Sequence, residues 1–378
     1  MKRLNIGVIC YPTVGGSGVV ATELGKKMAA RGHSVHFITS ERPFRLTQLS
    51  DNVQFHRVEI EGYSVFQYPP YDIALANRIA QVIQSEALDV LHVHYAVPHA
   101  IAATLGRHMA DSSIPIVTTL HGTDVTILGE QVSLKDTVRY GIEQSDRTTA
   151  VSEALRRDTY RLIAPDAPID VIYNFIDHEA YYVDDEERDS VRREFGFDEK
   201  ELVFIHVSNF REVKRTDYVL NSFAHILKEK KAHLLLVGDG PEMDEREKQV
   251  RHLGIEPYVH FTGKRTDVRS LLNASDVMLH LSDKEAFGLV ILEAFACGVP
   301  VIGTNVGGIP EVIEHDRNGR IVPLDDEQAV VRAALSLVES PERYASFQRE
   351  AIRTAQTTFH EDRMVDAYER VYEDVLLR

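Results

Sequence analysis

Residues 4–30 read LNIGVICYPTVGGSGVVATELGKKMAA, which is an apolar run, a glycine-rich loop and a helix-forming stretch in succession. The run Leu4–Cys10 predicts a buried strand, and Gly18–Ala30 predicts the helix that follows it. A parallel strand that passes through a glycine-rich turn into a helix is the repeating unit of doubly wound α/β domains. The opening of the chain therefore predicts an α/β fold with a parallel sheet.

The same alternation continues through the first half of the chain and then starts again. The first half holds five more predicted strands: Ser34–Thr39, Val53–Val58, Asp89–His92, Ile114–Thr119 and Thr148–Val151. The pattern lapses in a charged segment at 173–201, after which five further strands are predicted: Leu202–Val207, His233–Val237, Val259–Thr262, Val277–His280 and Val301–Gly303. We therefore predict two separately wound domains, 1–174 and 175–360, followed by a final helix at 361–378.

The composition limits the classes of partner and compartment. A chain of 378 residues has room for about two domains of roughly 150 residues each. A formal net charge of −16 argues against nucleic-acid binding, so an anionic ligand would have to meet locally placed cations and backbone N–H groups. The two cysteines, Cys10 and Cys297, make no disulfide framework, and no stretch approaches the ~18 apolar residues of a membrane span. We therefore predict a cytoplasmic protein without membrane insertion.

The first glycine-rich loop allows two functional interpretations. Gly15 and Gly16 would let a diphosphate approach the backbone at a helix N-terminus. Residues 16–21, GSGVVA, also match the dinucleotide fingerprint G-x-G-x-x-G/A, and Glu41 stands about where a ribose-binding acid should. That match predicts a nicotinamide enzyme, but residues 11–15 separate the loop from its strand, whereas the fingerprint turn begins directly after the strand.

A second motif is more informative. Residues 285–293 read EAFGLVILE, with Glu285 and Glu293 eight positions apart at a loop-to-helix junction. Eight residues are slightly more than two helical turns, so the two acids can share one face. The backbone N–H groups of residues 287–289 would point at an anion. Two solvated glutamates on an amphipathic helix are the alternative, but the FGL insertion and the Gly298-Val299-Pro300 turn favour a sugar-nucleotide site.

The 285–293 segment resembles the E-x7-E motif of retaining glycosyltransferases of family four. Further residues fall where that family places them: Asp276, Ala294, Gly298, Pro300, Val301, Gly307, Gly308 and Glu311. The resemblance covers essentially the full chain. It implies the GT-B architecture, two Rossmann-like doubly wound domains facing a cleft, with the acceptor bound by 1–174 and the nucleotide sugar by 175–360. It also implies that the helix at 361–378 returns towards the first domain.

The resemblance also implies the residues that bind the donor. Residues 208–214, SNFREVK, resemble the family's G-R-x-x-x-x-K segment, whose Arg and Lys bind the donor diphosphate. Lys214 fits, whereas Asn209 stands at the Arg position, which leaves open whether Arg211 replaces it. The implied donor-binding set is Gly15, Gly16, Asn209, Lys214, Lys264, Arg265, Phe287, Gly288, Leu289 and Glu293. The implied catalytic set is Lys214, Glu285, His121 and Arg211.

Histidines near the strand ends raise the question of a metal. His121, in TLHGTD at 119–124, resembles the family histidine that faces the transferred sugar. His92 and His94 alternate along a predicted strand end without an obvious third ligand, and the family architecture uses no catalytic metal. We therefore predict neither a metal nor a cofactor.

Four further motifs narrow the resemblance within the family: YPTVGGSG at 11–18, VFQYPPY at 65–71, HVHY at 92–95 and HGTD at 121–124. They are similar to members that transfer N-acetylglucosamine from UDP-N-acetylglucosamine to the hydroxyl of L-malate, the first step of bacillithiol biosynthesis. The resemblance implies acceptor contacts at Tyr95, Thr123 and Arg139, with Ser17 and Asn174 as further candidates.

Three alternatives remain open at this point. One is a family-four enzyme with another small acceptor. A second is an NAD-dependent oxidoreductase built on Gly16, Gly18 and Glu41. A third is a non-catalytic protein that binds sugar nucleotides. The residues alone do not decide the acceptor, and they leave open whether the chain forms a homo-oligomer.

Overall fold

A computed structural model describes residues 2–13, 15–46, 50–60 and 69–377. The chain forms two compact units. Unit 1 comprises residues 1–174 and 362–378, and unit 2 comprises residues 175–361. Residues 65–68 of the VFQYPPY motif and Val14 of the first glycine-rich loop lie outside the described residues.

Unit 1 is built on a parallel sheet of seven strands in the order β3-β2-β1-β4-β5-β6-β7. The strands are β1 (Asn5–Ile9), β2 (Ser34–Thr39), β3 (Val53–Arg57), β4 (Val90–His94), β5 (Ile116–Leu120), β6 (Arg147–Ala150) and β7 (Ile169–Val171). The helices are α1 (Gly16–Ala30), α2 (Tyr71–Glu86), α3 (Ile101–Met109), α4 (Thr123–Thr126), α5 (Lys135–Glu143) and α6 (Glu153–Leu162). The strand order reverses between β1 and β4, and ligands of doubly wound sheets bind at such a switch point.

The C-terminal helix α15 (Glu361–Leu376) completes unit 1. Two fully buried tyrosines attach it to the sheet. Tyr372 Oη lies 2.7 Å from Nδ1 of His92 on β4, and Tyr368 Oη lies 3.2 Å from Oγ1 of Thr119 on β5. The predicted return of this helix to the first domain is confirmed.

Unit 2 is built on a parallel sheet of six strands in the order β10-β9-β8-β11-β12-β13. The strands are β8 (Leu202–Val207), β9 (Ala232–Val237), β10 (Val259–Gly263), β11 (Val277–His280), β12 (Val301–Thr304) and β13 (Gly319–Val322). The helices are α7 (Asp185–Phe195), α8 (Thr216–Glu229), α9 (Met243–Leu253), α10 (Val268–Asn273), α11 (Leu289–Ala296), α12 (Ile309–Val312), α13 (Glu327–Leu337) and α14 (Pro341–Thr357). The switch point lies between β8 and β11.

Burial explains why the central strands were predictable. Helices cover both faces of a parallel sheet, so its strands are near-continuous apolar runs. In β9 the three leucines at 234–236 are fully buried, as are Val203 and Ile205 in β8. Both units are therefore Rossmann-like, as the sequence predicts. None of the described helices is both long enough and apolar enough to span a lipid bilayer.

Two edge strands, β7 and β13, were not predicted from the sequence. The sequence of β7 is IDV and that of β13 is GRIV, so each is short and interrupted by a charged residue. Asp170 of β7 faces Arg147 of the neighbouring strand at 3.7 Å, which is typical of an edge that remains partly hydrated. A smaller difference is in β4, which was predicted to end at His92 but continues to His94.

Candidate active site

The switch point of unit 1 places the first glycine-rich loop beside the end of β4. Gly15 precedes α1 as its N-cap residue, and a Cβ on Gly16 would meet no atom within 4 Å. Gly18 is different, because a Cβ there would lie 2.5 Å from the carbonyl oxygen of Thr13. The loop therefore packs closely against the start of α1 at Gly18, while the predicted ligand-facing glycine, Gly16, borders open space.

Three predicted residues come together at the carboxyl ends of β4 and β5. Tyr95 donates a hydrogen bond from Oη to Oγ of Ser17 at 2.9 Å, and its ring centroid is 5.3 Å from that of His121. His121 Nε2 lies 2.8 Å from Nδ1 of His94, the last residue of β4. Burial lowers the pKa of His121 to about 3 and lowers the pKa of His94 well below its usual value, so both rings are neutral near pH 7 and one donates to the other.

A buried carboxylate holds this group together. Asp124 is 0% exposed and accepts hydrogen bonds from the backbone N–H groups of Ala96, His121 and Gly122 at 3.2, 3.3 and 2.9 Å. Burial raises its pKa to about 6, and the backbone hydrogen bonds oppose that rise. Asp124 belongs to the HGTD motif, but no role for it was predicted from the sequence. The structure gives it one, since it ties the loop after β4 to the loop after β5.

The remaining acceptor candidates of unit 1 are less closely grouped. Thr123 is exposed at the first position of α4, two residues from His121. Asn174 is buried at the end of unit 1. Arg139 lies on α5, where its Nε donates to the carbonyl of Ile163 at 2.9 Å and its Nη1 lies 3.4 Å from Asp136. Arg139 therefore contacts the end of α6 and its own helix, and these contacts do not include Tyr95 or Ser17.

The histidines of unit 1 do not form a metal site among the described residues. Both nitrogens of His92 are engaged, Nδ1 with Tyr372 and Nε2 with Thr119, each at 2.7 Å. Within the described ranges, one group of three side chains lies close enough to hold an ion, namely His178, His360 and Glu361 of unit 2. It contains none of the predicted site residues. The absence of a catalytic metal remains a prediction.

The switch point of unit 2 brings together residues that are distant in sequence. Lys214, in a 3₁₀ turn after β8, places Nζ 2.6 Å from Oε2 of Glu285 in the loop after β11. Nε2 of His280, the last residue of β11, lies 3.0 Å from the same oxygen. Burial alone would raise the pKa of Glu285, but Lys214 and His280 outweigh it and hold the pKa far below its usual range. Glu285 is therefore ionised.

The backbone around Glu285 is fixed by two glycines of the following loop. The Gly308 N–H donates to the carbonyl of Glu285 at 3.0 Å. A Cβ on Gly307 would lie 1.9 Å from the Glu285 carbonyl oxygen, and one on Gly308 would lie 2.2 Å from that of Ala286. The 307–308 glycine pair of the family pattern is therefore required for close backbone packing, which sets the position of the Glu285 side chain.

The FGL segment leads into α11 as predicted. Gly288 has φ +87° and is the N-cap of this helix, and Leu289 is its first residue. Phe287 is buried against Phe359, with ring centroids 5.6 Å apart, so only its backbone can serve a ligand. Glu293 lies within α11 and is buried rather than solvated. The interpretation of both acids as surface glutamates on an amphipathic helix is wrong.

The other donor candidates differ in their surroundings. Asn209 and Arg211 are exposed in the loop after β8. The turn after β9 packs tightly on that loop, since a Cβ on Gly240 would lie 1.9 Å from the Asn209 carbonyl oxygen. Lys264 follows β10 and is 79% exposed, while the neighbouring Arg265 donates to both carboxylate oxygens of Asp267 at 2.7 and 2.6 Å.

Comparison with known proteins identifies the class. Residues 14–180 match the model of Glycosyltransferase Family 4, and residues 187–354 match that of Glycosyl transferases group 1. Over 374 residues, 99% of this chain and 98% of the relative, the sequence is 51% identical to an N-acetyl-alpha-D-glucosaminyl L-malate synthase of Bacillus anthracis. The protein is a glycosyltransferase, and it belongs to family four. A D-inositol 3-phosphate glycosyltransferase of Rhodococcus erythropolis is 25% identical over 94% of this chain and 86% of its own.

Solved structures agree on the fold. A glycosyltransferase from Rickettsia africae superimposes with a TM-score of 0.83 at 19% identity, covering 100% of this chain and 99% of its own. Anabaena HepE, solved in complex with UDP and glucose, superimposes with a TM-score of 0.84 at 21% identity, covering 98% and 100% of the two chains. The predicted GT-B architecture is confirmed, and the oxidoreductase interpretation of the loop at Gly16 is left without support.

Proposed function

We propose that this enzyme transfers N-acetylglucosamine from UDP-N-acetylglucosamine to the hydroxyl of L-malate, with retention of configuration at the sugar. This reaction would be the first step of bacillithiol biosynthesis, carried out in the cytoplasm. The observation that supports the proposal most directly is the Lys214–Glu285 ion pair, with Nζ and Oε2 2.6 Å apart, at the switch point of unit 2. The 51% identity to the Bacillus anthracis synthase supports the choice of substrates.

The proposed donor site lies in unit 2. Lys214 would neutralise the diphosphate, and the N–H groups at residues 287–289 would bind one of its phosphates. Glu293 would accept a hydrogen bond from the ribose, and Glu285 one from a sugar hydroxyl. Asn209, Lys264 and Arg265 would line the nucleotide. In unit 1, Gly15 and Gly16 at the start of α1 are candidate backbone contacts for a phosphate. Arg211 is exposed and is the candidate to supply the family's missing arginine.

The chemistry that follows needs no side-chain base. The bond between the anomeric carbon and the diphosphate oxygen breaks, and the malate hydroxyl oxygen bonds to that carbon on the same face. The hydroxyl proton passes to the departing phosphate oxygen. Negative charge on the diphosphate grows during this step, so Lys214 stabilises the transition state more than the ground state. His121, held neutral by burial, would serve as a hydrogen-bonding group towards the sugar.

The proposed acceptor site lies in unit 1. Malate is a small dianion, so its site needs a compact group of hydroxyls and a cation. The hydroxyls would come from Ser17, Tyr95 and Thr123, and the cation from Arg139. The Arg139 side chain is 35% exposed, and its ion pair within the described part of the chain is with the exposed Asp136, so malate can compete for it. Asn174 is a further candidate contact.

Product analysis tests the proposal directly. The protein is incubated with UDP-N-acetylglucosamine and, separately, L-malate, D-malate, lactate and inositol phosphate, and the products are identified by mass spectrometry. We expect a glycoside only with L-malate in appreciable yield, with the α anomeric configuration by NMR. A product with inositol phosphate but none with malate would replace the acceptor, and no sugar transfer to any acid would refute the proposal.

A further inference from the structure

The chemistry proposed above assigns no role to His280. It ends β11 in the sequence VMLH, where the three preceding side chains are fully buried. The His280 side chain is itself 1% exposed, and its Nε2 lies 3.0 Å from Oε2 of Glu285. That oxygen also receives Lys214 Nζ at 2.6 Å. Oε2 of Glu285 therefore accepts from two donors, the buried His280 at the end of β11 and the partly exposed Lys214 in the turn after β8.

The tautomer of His280 follows from this contact. Glu285 is ionised and can only accept, so Nε2 of the ring must carry a proton and donate it. The other nitrogen, Nδ1, is buried and has no hydrogen-bond partner among the described residues. A buried polar atom without a partner costs free energy, and an apolar side chain would fill the same space without that cost. The contact with Glu285 is thus the polar interaction that the ring makes.

The donor creates a need for this contact. Lys214 balances the charge of Glu285 in the ion pair described above. Under the proposed function, Lys214 must turn towards the donor diphosphate while Glu285 stays to accept from the sugar. A buried carboxylate that loses its cation is strongly destabilised unless another donor remains.

We infer that His280 is a positioning residue that holds Glu285 in place and ionised while Lys214 turns to the donor diphosphate. This inference rests on the proposed function and deepens it. It assigns His280 to the donor side of the reaction, where it acts through Glu285 and does not touch the substrate. By holding the carboxylate, His280 lowers the cost of freeing Lys214, so it assists donor binding as well as turnover.

A nearby histidine cannot replace it. His206 on β8 is also buried, but its Nδ1 lies 2.9 Å from the carbonyl oxygen of Leu279 and its Nε2 lies 2.9 Å from Oγ of Ser208. Both of its nitrogens are therefore engaged. Among the described side chains, Lys214 and His280 are the donors that reach the Glu285 carboxylate.

The test compares two substitutions at one position. His280→Leu removes the donor but fills the space, while His280→Gln keeps an N–H group at the reach of Nε2. The matched control is His233→Leu, because His233 makes a similar contact, Nε2 to Glu201 Oε2 at 3.2 Å, at the start of β9 in the same unit. Far-UV circular dichroism and thermal melts first establish that each variant is folded.

We expect His280→Leu to weaken UDP binding and to lower kcat/KM for UDP-N-acetylglucosamine, together by roughly 10- to 100-fold, the loss typical of a hydrogen bond to a charged group. His280→Gln should recover most of both losses, and His233→Leu should match the wild type. In a Glu285→Gln background, His280→Leu should change UDP affinity little, because no buried charge remains to be held.

Three results would overturn the inference. One is wild-type UDP affinity and kcat/KM in folded His280→Leu. Another is equal loss in the Leu and Gln variants, which would mean that ring shape matters and the hydrogen bond does not. The third is an unchanged effect of His280→Leu in the Glu285→Gln background. If the wild type transfers no sugar, the proposed function fails, while calorimetry with UDP still decides the role of His280.

Discussion

At the scale of single residues, the ion pair of Lys214 and Glu285 determines how the enzyme can bind a diphosphate. The two side chains are only partly exposed and 2.6 Å apart, so each compensates the other's charge in a poorly hydrated place. A lysine that already has a carboxylate partner binds a diphosphate only by exchanging one anion for another. That exchange gains most when the diphosphate carries its greatest charge, which is at the transition state for loss of the sugar.

Lys214→Ala should therefore depress kcat more than it raises KM for UDP-N-acetylglucosamine. Removal of one such preorganised donor costs about 10²–10³ in kcat in comparable sites. Steady-state kinetics with saturating malate measures both constants. Lys231→Ala is the matched control, since Lys231 pairs with Glu201 on the surface of the same unit. A variant changed only in KM would make Lys214 a binding residue and Arg211 the better candidate for stabilising the leaving group.

Asp124 predicts a pH dependence of stability in unit 1. Burial raises its pKa to about 6 in the folded protein, against 3.8 for the free carboxyl group. The folded state therefore holds a proton that the unfolded state releases, so this residue stabilises most below pH 4 and loses about 3 kcal/mol as the pH rises to about 6. Urea unfolding from pH 4 to 7, with Asp124→Asn as reference, isolates this contribution. Parallel pH profiles for the two proteins would contradict it.

At the scale of secondary-structure elements, the apolar pattern of the sequence predicted the central strands of both sheets. The central strands are buried on both faces, so their positions follow from composition. The charged edge strands β7 and β13 did not, because their pairing depends on a neighbour distant in sequence. The same limit applies to the site. The segment that bears Lys214 and the segment that bears Glu285 could each be recognised from the sequence. The contact between the two side chains could not, and neither could the role of His280 beside them, because both depend on β8 and β11 being neighbours in the sheet.

The attachment of helix α15 to the sheet of unit 1 can be tested at Tyr372. Tyr372→Phe removes the hydroxyl that contacts His92 and leaves a buried ring nitrogen without that partner. We expect unit 1 to lose about 1–3 kcal/mol of stability. Hydrogen exchange at the amides of β4 and β5 reports this loss locally. Tyr140→Phe is the control, because Tyr140 is exposed. Unchanged protection of β4 and β5 in the Tyr372 variant would mean that this hydrogen bond adds nothing measurable and that other contacts of α15, such as Tyr368 with Thr119, attach the helix.

At the scale of the whole molecule, anionic substrates must bind to a strongly acidic protein. The net charge of −16 opposes the approach of a nucleotide sugar and of malate, so local cations and backbone amides have to supply the attraction. A metal ion is a common alternative source of positive charge. Among the described residues, the one group with suitable spacing is His178, His360 and Glu361, and it includes neither Lys214 nor Glu285.

We therefore expect the activity to survive treatment with EDTA. The measurement is the initial rate of UDP release before and after chelation and dialysis. A fall that Mg²⁺ or Mn²⁺ reverses would mean that a metal bridges the donor phosphates, and the charge stabilisation assigned to Lys214 would then be shared. The arrangement of cations and backbone amides in unit 2 predicts full activity in EDTA and no stimulation by either ion.

The division into two units yields the last prediction, which concerns the acceptor. If Arg139 of unit 1 reads one malate carboxylate together with Tyr95 and Thr123, lactate should be a very poor acceptor. Lactate keeps the hydroxyl but lacks the second carboxylate, and a site built around a charged partner rejects the truncated analogue by roughly 10⁴-fold in favourable cases. Arg139→Ala should then lose preference for malate while UDP affinity stays near wild type, because Lys214 and Glu285 belong to unit 2.

The experiment measures kcat/KM for malate and lactate with both proteins, and UDP affinity by calorimetry. Arg161→Ala serves as the control, since Arg161 is another arginine of unit 1 and, like Arg139, pairs with an aspartate three residues earlier on its own helix, Asp158. Equal use of the two acids by the wild type would refute the malate assignment and leave a family-four glycosyltransferase with another acceptor. Full malate preference in Arg139→Ala would instead assign this arginine to the contact between α5 and the end of α6 at Ile163, and the second carboxylate would need a different cation.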